Sequence, residues 1–154
     1  RRFEALRVQI LRIPRELARL REEVAAMRVK MLEGHPNPSG LFDLKHDRGG
    51  IVDVEFIVQY LVLGRAHRYA ELTGNIGNLA LLTLAGQLAL IPAESAAAVH
   101  RSYREFRRLQ HALRLQGQTY ARVEKERADD LAQPVLRLWA AVFEEDAMRE
   151  ASLR

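Results

Sequence analysis

The chain has 154 residues, enough for one domain with a buried core, and a formal net charge of +4. It contains no cysteine, which excludes disulfide scaffolds, thiolate zinc sites and cysteine nucleophiles. Alanine (21) and leucine (23) far outnumber glycine (9) and proline (5), a bias toward helix. The charge is uneven: residues 1–33 hold nine Arg or Lys against five Asp or Glu, and residues 34–154 hold fifteen of each. The longest apolar stretch, Leu79 to Ile91, is interrupted by Thr83, Gly86 and Gln87 and is too short to cross a bilayer. With no targeting signal, the expectation is a soluble cytoplasmic protein without membrane contact. The chain opens on Arg-Arg, already in a helical pattern, and reads as a piece of a longer polypeptide.

Five to six helices and no strand are expected, an all-α antiparallel helical bundle. Pro14 breaks a first helix and opens a second, whose Leu17, Leu20, Val24, Met27 and Met31 recur at three- and four-residue spacing. That stripe reads either as bundle core or as a surface left bare by a missing domain. Gly34-His35-Pro36-Asn37-Pro38-Ser39-Gly40 is the strongest linker signal. The expected organisation is a basic helical segment over 1–33, a linker over 34–42 and a helical domain over 43–154. A helix begins near Ile51, Asn78 is a candidate cap for one over Leu79–Leu90, and Pro92 opens the longest, to about Gln116. Asp130 is a candidate cap for a last helix carrying Leu131, Val135, Leu138, Trp139 and Val142, with Pro134 in its first turn.

The stretch from Phe42 to Phe56 differs from the rest. Charges and glycines crowd the approach to a helix that is apolar on nearly all sides; from Ile51 to Leu63 its strongly polar residues are Asp53, Glu55 and Gln59. Such a helix is normally buried, and carboxylates on it are costly unless paired or facing a wet cleft. At about 100° per residue Asp53 and Glu55 diverge by about 200°, so they cannot act as a close pair. One reading has Asp53 capping its helix while Glu55 salt-bridges a neighbouring arginine. The other has Gly49 and Gly50 admitting a phosphate to the helix N-terminus, with Lys45 supplying charge.

His111, between Leu109 and Leu113, reads as a histidine packed beside the core. His35, His46, His67 and His100 lack ligand-like spacing, so no histidine metal site is expected. Arg101, Arg104, Arg107, Arg108 and Arg114 stud the long helix; they read as a solvated face or, at Arg101, Arg104 and Arg108, as a docking surface for an acidic partner. Nucleic-acid binding is not expected, since residues 34–154 are charge-balanced and carry no recognisable binding motif.

Phe42-Asp43-Leu44-Lys45 followed by Gly49-Gly50-Ile51-Val52-Asp53-Val54-Glu55-Phe56-Ile57-Val58-Gln59-Tyr60-Leu61 resembles the second nucleotidyltransferase half of bacterial glutamine synthetase adenylyltransferase, a bifunctional family. Pro14-Arg15-Glu16, Met27 to Met31, Leu72-Thr73 with Asn78, Tyr103, Arg107 to Leu109 and His111 to Leu113 extend the likeness in the expected order, while Gly77 stands where an Asp is common. The resemblance implies a parent enzyme that transfers AMP from ATP to a tyrosine of glutamine synthetase, and removes it, in nitrogen regulation. ATP and Mg²⁺ would be its cofactors; glutamine synthetase, PII protein and an upstream nucleotidyltransferase domain its partners. The metal-holding Gly-Ser then Asp-x-Asp pattern is missing from this sequence. The segment itself is therefore expected to be non-catalytic, with no nucleotide or metal bound to it alone. Lys45, Gly49, Gly50, Asp53 and Glu55 would line one wall of the nucleotide cleft. Lys45 would touch phosphate, and Asp53 or Glu55 would orient metal, ribose or catalytic-domain residues. The alternative is a regulatory module that docks glutamine synthetase or PII without touching nucleotide.

Overall fold

A computed structural model describes the backbone of residues 1–145 and the side chains of 1–144; the last part of the expected 43–154 domain lies outside the described residues. The architecture is an all-α bundle. In chain order come α1 (Arg2–Leu11), α2 (Leu17–Glu33), β1 (Phe42–Asp43), α3 (Ile51–Arg65), a 3₁₀ turn (Ala70–Thr73), α4 (Gly77–Gln87), α5 (Ala93–Leu115), β2 (Arg122–Val123), α6 (Lys125–Trp139) and a π-helical turn (Ala140–Glu145).

Helix α3 is the hub because its composition leaves it no solvent-facing alternative. Ile51, Val54, Ile57 and Leu61 are buried in the core, and α2, α4, α5 and α6 all pack against it. The hydrophobic effect makes this placement decisive, since fully burying one such aliphatic side chain is worth about 1.5–3 kcal/mol. Helix α5 contributes Val99, Tyr103, Phe106 and Leu109 from one face, and α6 contributes Ala128, Ala132, Val135 and Leu138. Leu20 and Val24 of α2 belong to the same core, so the 1–33 segment packs on the remainder directly.

Helix α1 buries no residue of its own. Arginines on it and just after it tie it down instead: Arg7 donates to the Thr73 carbonyl at 2.5 Å, Arg12 to Ala66 at 3.3 Å and Arg15 to Leu63 at 3.2 Å. The carbonyls of Leu63 and Ala66 lie at the C-terminal end of α3, where orphan acceptors and the negative dipole end favour cations. Part of the N-terminal basicity is thus spent inside the fold.

Several local expectations need correction. Strands do exist: Phe42 pairs with Val123 and Asp43 with Arg122 in a two-residue antiparallel ladder. Pro14 sits in the α1–α2 connection rather than inside α2. Asn78 does not cap α4, which starts one residue earlier at Gly77, where a φ of +85° suits glycine; the Asn78 amide is engaged with Tyr103 instead. Helix α6 begins at Lys125, because Ala128 is already core, so Asp130 and Pro134 fall inside it. The Asp130 carbonyl that Pro134 leaves without its usual donor belongs to an exposed residue. Met27 is 56% exposed, and Arg28, one position on, takes the buried place. His111 is exposed rather than packed beside the core.

Helices α4 and α5 pack tightly at Gly86, where a Cβ would stand 2.8 Å from Ala96 Cβ, an atom with no freedom to move away. Gly86→Ala should therefore cost about 1–3 kcal/mol by forcing the helices apart. Gly34 has φ −75°, and a Cβ there would meet nothing closer than the Lys30 carbonyl at 3.5 Å; Gly34→Ala should be neutral or stabilise by up to about 1 kcal/mol. Urea unfolding of the two variants checks both.

Candidate functional site

The stretch 42–50 is held from inside. The Asp53 side chain, fully buried in the first turn of α3, accepts from Arg28 Nε at 2.5 Å and from the Gly49 amide at 2.7 Å, with Arg48 at 3.5 Å. Arg28 is equally buried and reaches the His46 carbonyl at 2.6 Å through its second nitrogen. One buried ion pair therefore ties α2, α3 and the connection between them. Arg48 in turn lies 4.4 Å over the Trp139 ring, extending the link to α6.

The glycines serve the same closure. Gly49 has φ +88°, and a Cβ there would stand 2.9 Å from Ala132 Cβ; at Gly50 a Cβ would meet the Leu44 carbonyl at 2.5 Å. Their amides are occupied, Gly49 by Asp53 and Gly50 by the Asp47 carbonyl at 3.0 Å. Both amides are thus bonded within the chain. Asp53 is buried, and the structure does not bring the five expected residues onto one surface. Nor does Asp53 cap α3: its helix has no side-chain cap, and its oxygens face Arg28 and Gly49.

Glu55 lies on the other side of α3, partly exposed. It accepts from the Tyr103 hydroxyl at 3.3 Å, and that oxygen accepts from the Asn78 amide at 3.2 Å. Burial raises the Tyr103 pKa above its ordinary 10.0, so the phenol is a donor throughout the neutral range. The chain Asn78–Tyr103–Glu55 joins α4, α5 and α3. Among the described residues no arginine is bonded to Glu55 in the way the salt-bridge reading expected; a tyrosine holds it.

Lys45 is exposed and lines a cleft of about 480 Å³ between residues 34–46 and 110–122. His35, His46, Arg114, Tyr120 and Arg122 share its lining. The rings of His35 and His46 stack at 3.8 Å and 6°. Asp43, the acid in the lining, is neutralised: Arg122 stands 3.2 Å from one oxygen, and the amides of Lys45 and His46 donate to the other at 3.0 and 2.9 Å. The docking candidates Arg101, Arg104 and Arg108 are all exposed on α5, with Arg108 paired to Glu105 at 2.6 Å.

Among the described residues no group of three or more His, Asp or Glu side chains is placed to hold a metal ion. Asp53 is saturated and Glu55 stands alone, so these residues do not fit a magnesium site by themselves; the basic cleft fits phosphates. Sequence reasoning missed Arg28 as a site residue, although its position four after Val24 on the apolar stripe marks it as a buried cation. It also missed the His35–His46 stack and the Tyr120–Arg122 wall, which arise only when two distant loops meet.

Two expectations follow. Arg28→Met should destabilise by about 3–5 kcal/mol, because it strands the Asp53 charge in the core. The double variant Arg28→Met/Asp53→Asn should unfold later in urea than that single variant. The second concerns His46, whose pKa burial lowers from the ordinary 6.5, with His35, Lys45 and Arg28 adding to the effect and Asp43 opposing it. The unfolded chain then binds the proton first, so this contribution to stability is present above pH 6.5 and lost on acidification below it. The urea midpoint should fall from pH 7.5 to 5.5, and His46→Gln should flatten that dependence.

Residues 14–141 match the family described as GlnD PII-uridylyltransferase. Three bifunctional glutamine synthetase adenylyltransferase/adenylyl-removing enzymes are close relatives: those of Nitrosomonas europaea (54% identical), Aromatoleum aromaticum (57%) and Ralstonia nicotianae (58%), each matched over 92% of this chain. The chain spans only 15 to 17% of the length of these relatives. It therefore belongs to the family described as GlnD PII-uridylyltransferase, in the form that glutamine synthetase adenylyltransferase/adenylyl-removing enzymes carry.

Proposed function

We propose that this chain is the helical domain that follows the second nucleotidyltransferase domain of a glutamine synthetase adenylyltransferase. The whole enzyme transfers AMP from ATP to a tyrosine of glutamine synthetase and removes it again, in the cytoplasm, under the influence of PII protein. The observation that carries this reading is identity of 54 to 58% to enzymes of that name across 92% of the chain. The carboxylates that hold Mg²⁺ and align the triphosphate lie in the upstream domain, since no Gly-Ser followed by Asp-x-Asp occurs in this sequence. The segment alone is then non-catalytic.

Within that enzyme the motif residues divide the work. Lys45, exposed on a connection braced from beneath, contacts the phosphates of ATP. Glu55, held by Tyr103, faces ribose or residues of the catalytic domain. Asp53, Gly49 and Gly50 are positioning residues: they shape the connection that presents Lys45. Glutamine synthetase and the upstream domain are the partners. A docking role for the exposed Arg101 and Arg104 is the second reading, favoured by their lack of an acidic partner among the described residues.

In the full-length enzyme Lys45→Ala should raise the KM for ATP about ten- to a hundredfold, the worth of one charged hydrogen bond. Glu55→Gln should lower turnover while the fold is retained. Wild-type kinetics in both folded variants would contradict the assignment, as would ATP-dependent labelling of glutamine synthetase by the 154-residue chain alone. Loss of glutamine synthetase capture in an Arg101→Ala/Arg104→Ala variant, with nucleotide kinetics unchanged, would favour the second reading.

A further inference from the structure

We infer that the cleft between residues 34–46 and 110–122 is itself a nucleoside-triphosphate site, binding the polyphosphate through Lys45 and Arg114 and the base against Tyr120. The inference departs from the expectation that no nucleotide binds this segment alone; it deepens the role proposed for Lys45 and rests on that reading for its biological setting, but its physical basis is the cleft alone. A volume of about 480 Å³ lies within the range of about 300–1,000 Å³ usual for small-molecule sites.

The charge in this cleft is of one sign where a ligand would meet it. Lys45 and Arg114 are exposed, and among the described residues neither is paired with a carboxylate. Asp43, the acid in the lining, is 5% exposed and already accepts from Arg122 and two amides, so it repels little. A lysine and an arginine fork converging on one cleft is the donor set that a polyphosphate takes. His46 adds a buried Nδ1 that has no hydrogen-bond partner among the described residues.

The walls are also preorganised. Across the ladder, the Leu44 amide donates to the Ala121 carbonyl at 2.8 Å, and the Lys45 carbonyl accepts from the Val52 amide at 3.0 Å. On the opposite side the chain leaves α5 through Gly117 with φ +79°, and the Gln118 amide donates back to the Leu113 carbonyl at 3.1 Å. The Tyr120 ring has the Arg122 guanidinium 3.9 Å from its centroid yet remains 60% exposed. A ring fixed on one face and open to solvent is a stacking platform for a base.

The test is calorimetric and NMR titration of the 154-residue chain with ATP and, separately, inorganic tripolyphosphate, without metal. Both should bind and compete, with amide shifts concentrated at Lys45, His46 and Gln118–Arg122. Lys45→Ala and Arg114→Ala should each weaken both ligands about tenfold or more, whereas Arg101→Ala should not. ATP should bind more tightly than tripolyphosphate, and Tyr120→Ala should remove the difference. Failure of both ligands to bind at millimolar concentration would overturn the inference, as would binding insensitive to Lys45 and Arg114, or equal affinities unaffected by Tyr120→Ala. Because no turnover is measured, these failures are separate from a failure of the adenylyltransferase reading, which would show as unaltered kinetics of the full-length Lys45→Ala enzyme.

Discussion

The buried ion pair between Arg28 and Asp53 is the constraint on which the rest of this structure depends. Both side chains are fully withdrawn from water. Desolvating two charges costs at least as much as their attraction returns in many proteins, so the pair is not explained as a source of stability. Its value here is specification. The Arg28 guanidinium serves Asp53 and the His46 carbonyl, and the Asp53 carboxylate serves Arg28 and the Gly49 amide. Any slip of α2 along α3 would break both Arg28 contacts at once, so the pair sets one register between the helices and one path for residues 42–50.

That path explains why the motif divides into hidden and presented residues. Gly49 and Gly50 allow the connection to lie against α6 and against itself, where a Cβ would collide. Asp43, buried within the ladder, joins Arg122 to the amides of Lys45 and His46. The outcome is a rigid connection from which Lys45 projects. Helix α3 performs a second task on its other side, where Tyr103 and Asn78 hold Glu55. A single apolar helix thus separates two polar arrangements, which is why its two carboxylates could not act together.

Much of this was legible beforehand. The all-α class followed from alanine and leucine content and from three- and four-residue spacings, and α3 and α5 were placed because a run such as Ile51–Leu63 has no other place than the core. Resemblance over Phe42–Leu61 pointed to the family that the matched relatives then showed. What was hidden depends on contacts distant in sequence. Arg28 falls on the apolar stripe four after Val24, but its partner, Asp53, arrives from the next helix and cannot be read from that spacing. Gly49-Gly50 looked open to a ligand because spacing cannot reveal that Ala132 and Leu136 close over Gly49. Asn78 and Asp130 have the chemistry of caps, but tertiary packing began α4 and α6 earlier. Part of the excess positive charge of residues 1–33 is used within the fold: Arg12 and Arg15 donate to the terminal carbonyls of α3, while Arg28 is buried against Asp53.

The central claim is that the 42–50 connection is an integral part of the core, pinned from below so that Lys45 is presented from a rigid base. Native-state hydrogen exchange of the wild-type chain tests it most directly. The amides of Gly49, Lys45 and His46 should exchange only through the same opening that releases the buried amides of α3, with equal free energies and equal denaturant dependence. Exchange of these three amides by a separate low-energy opening, while α3 stays protected, would contradict the account.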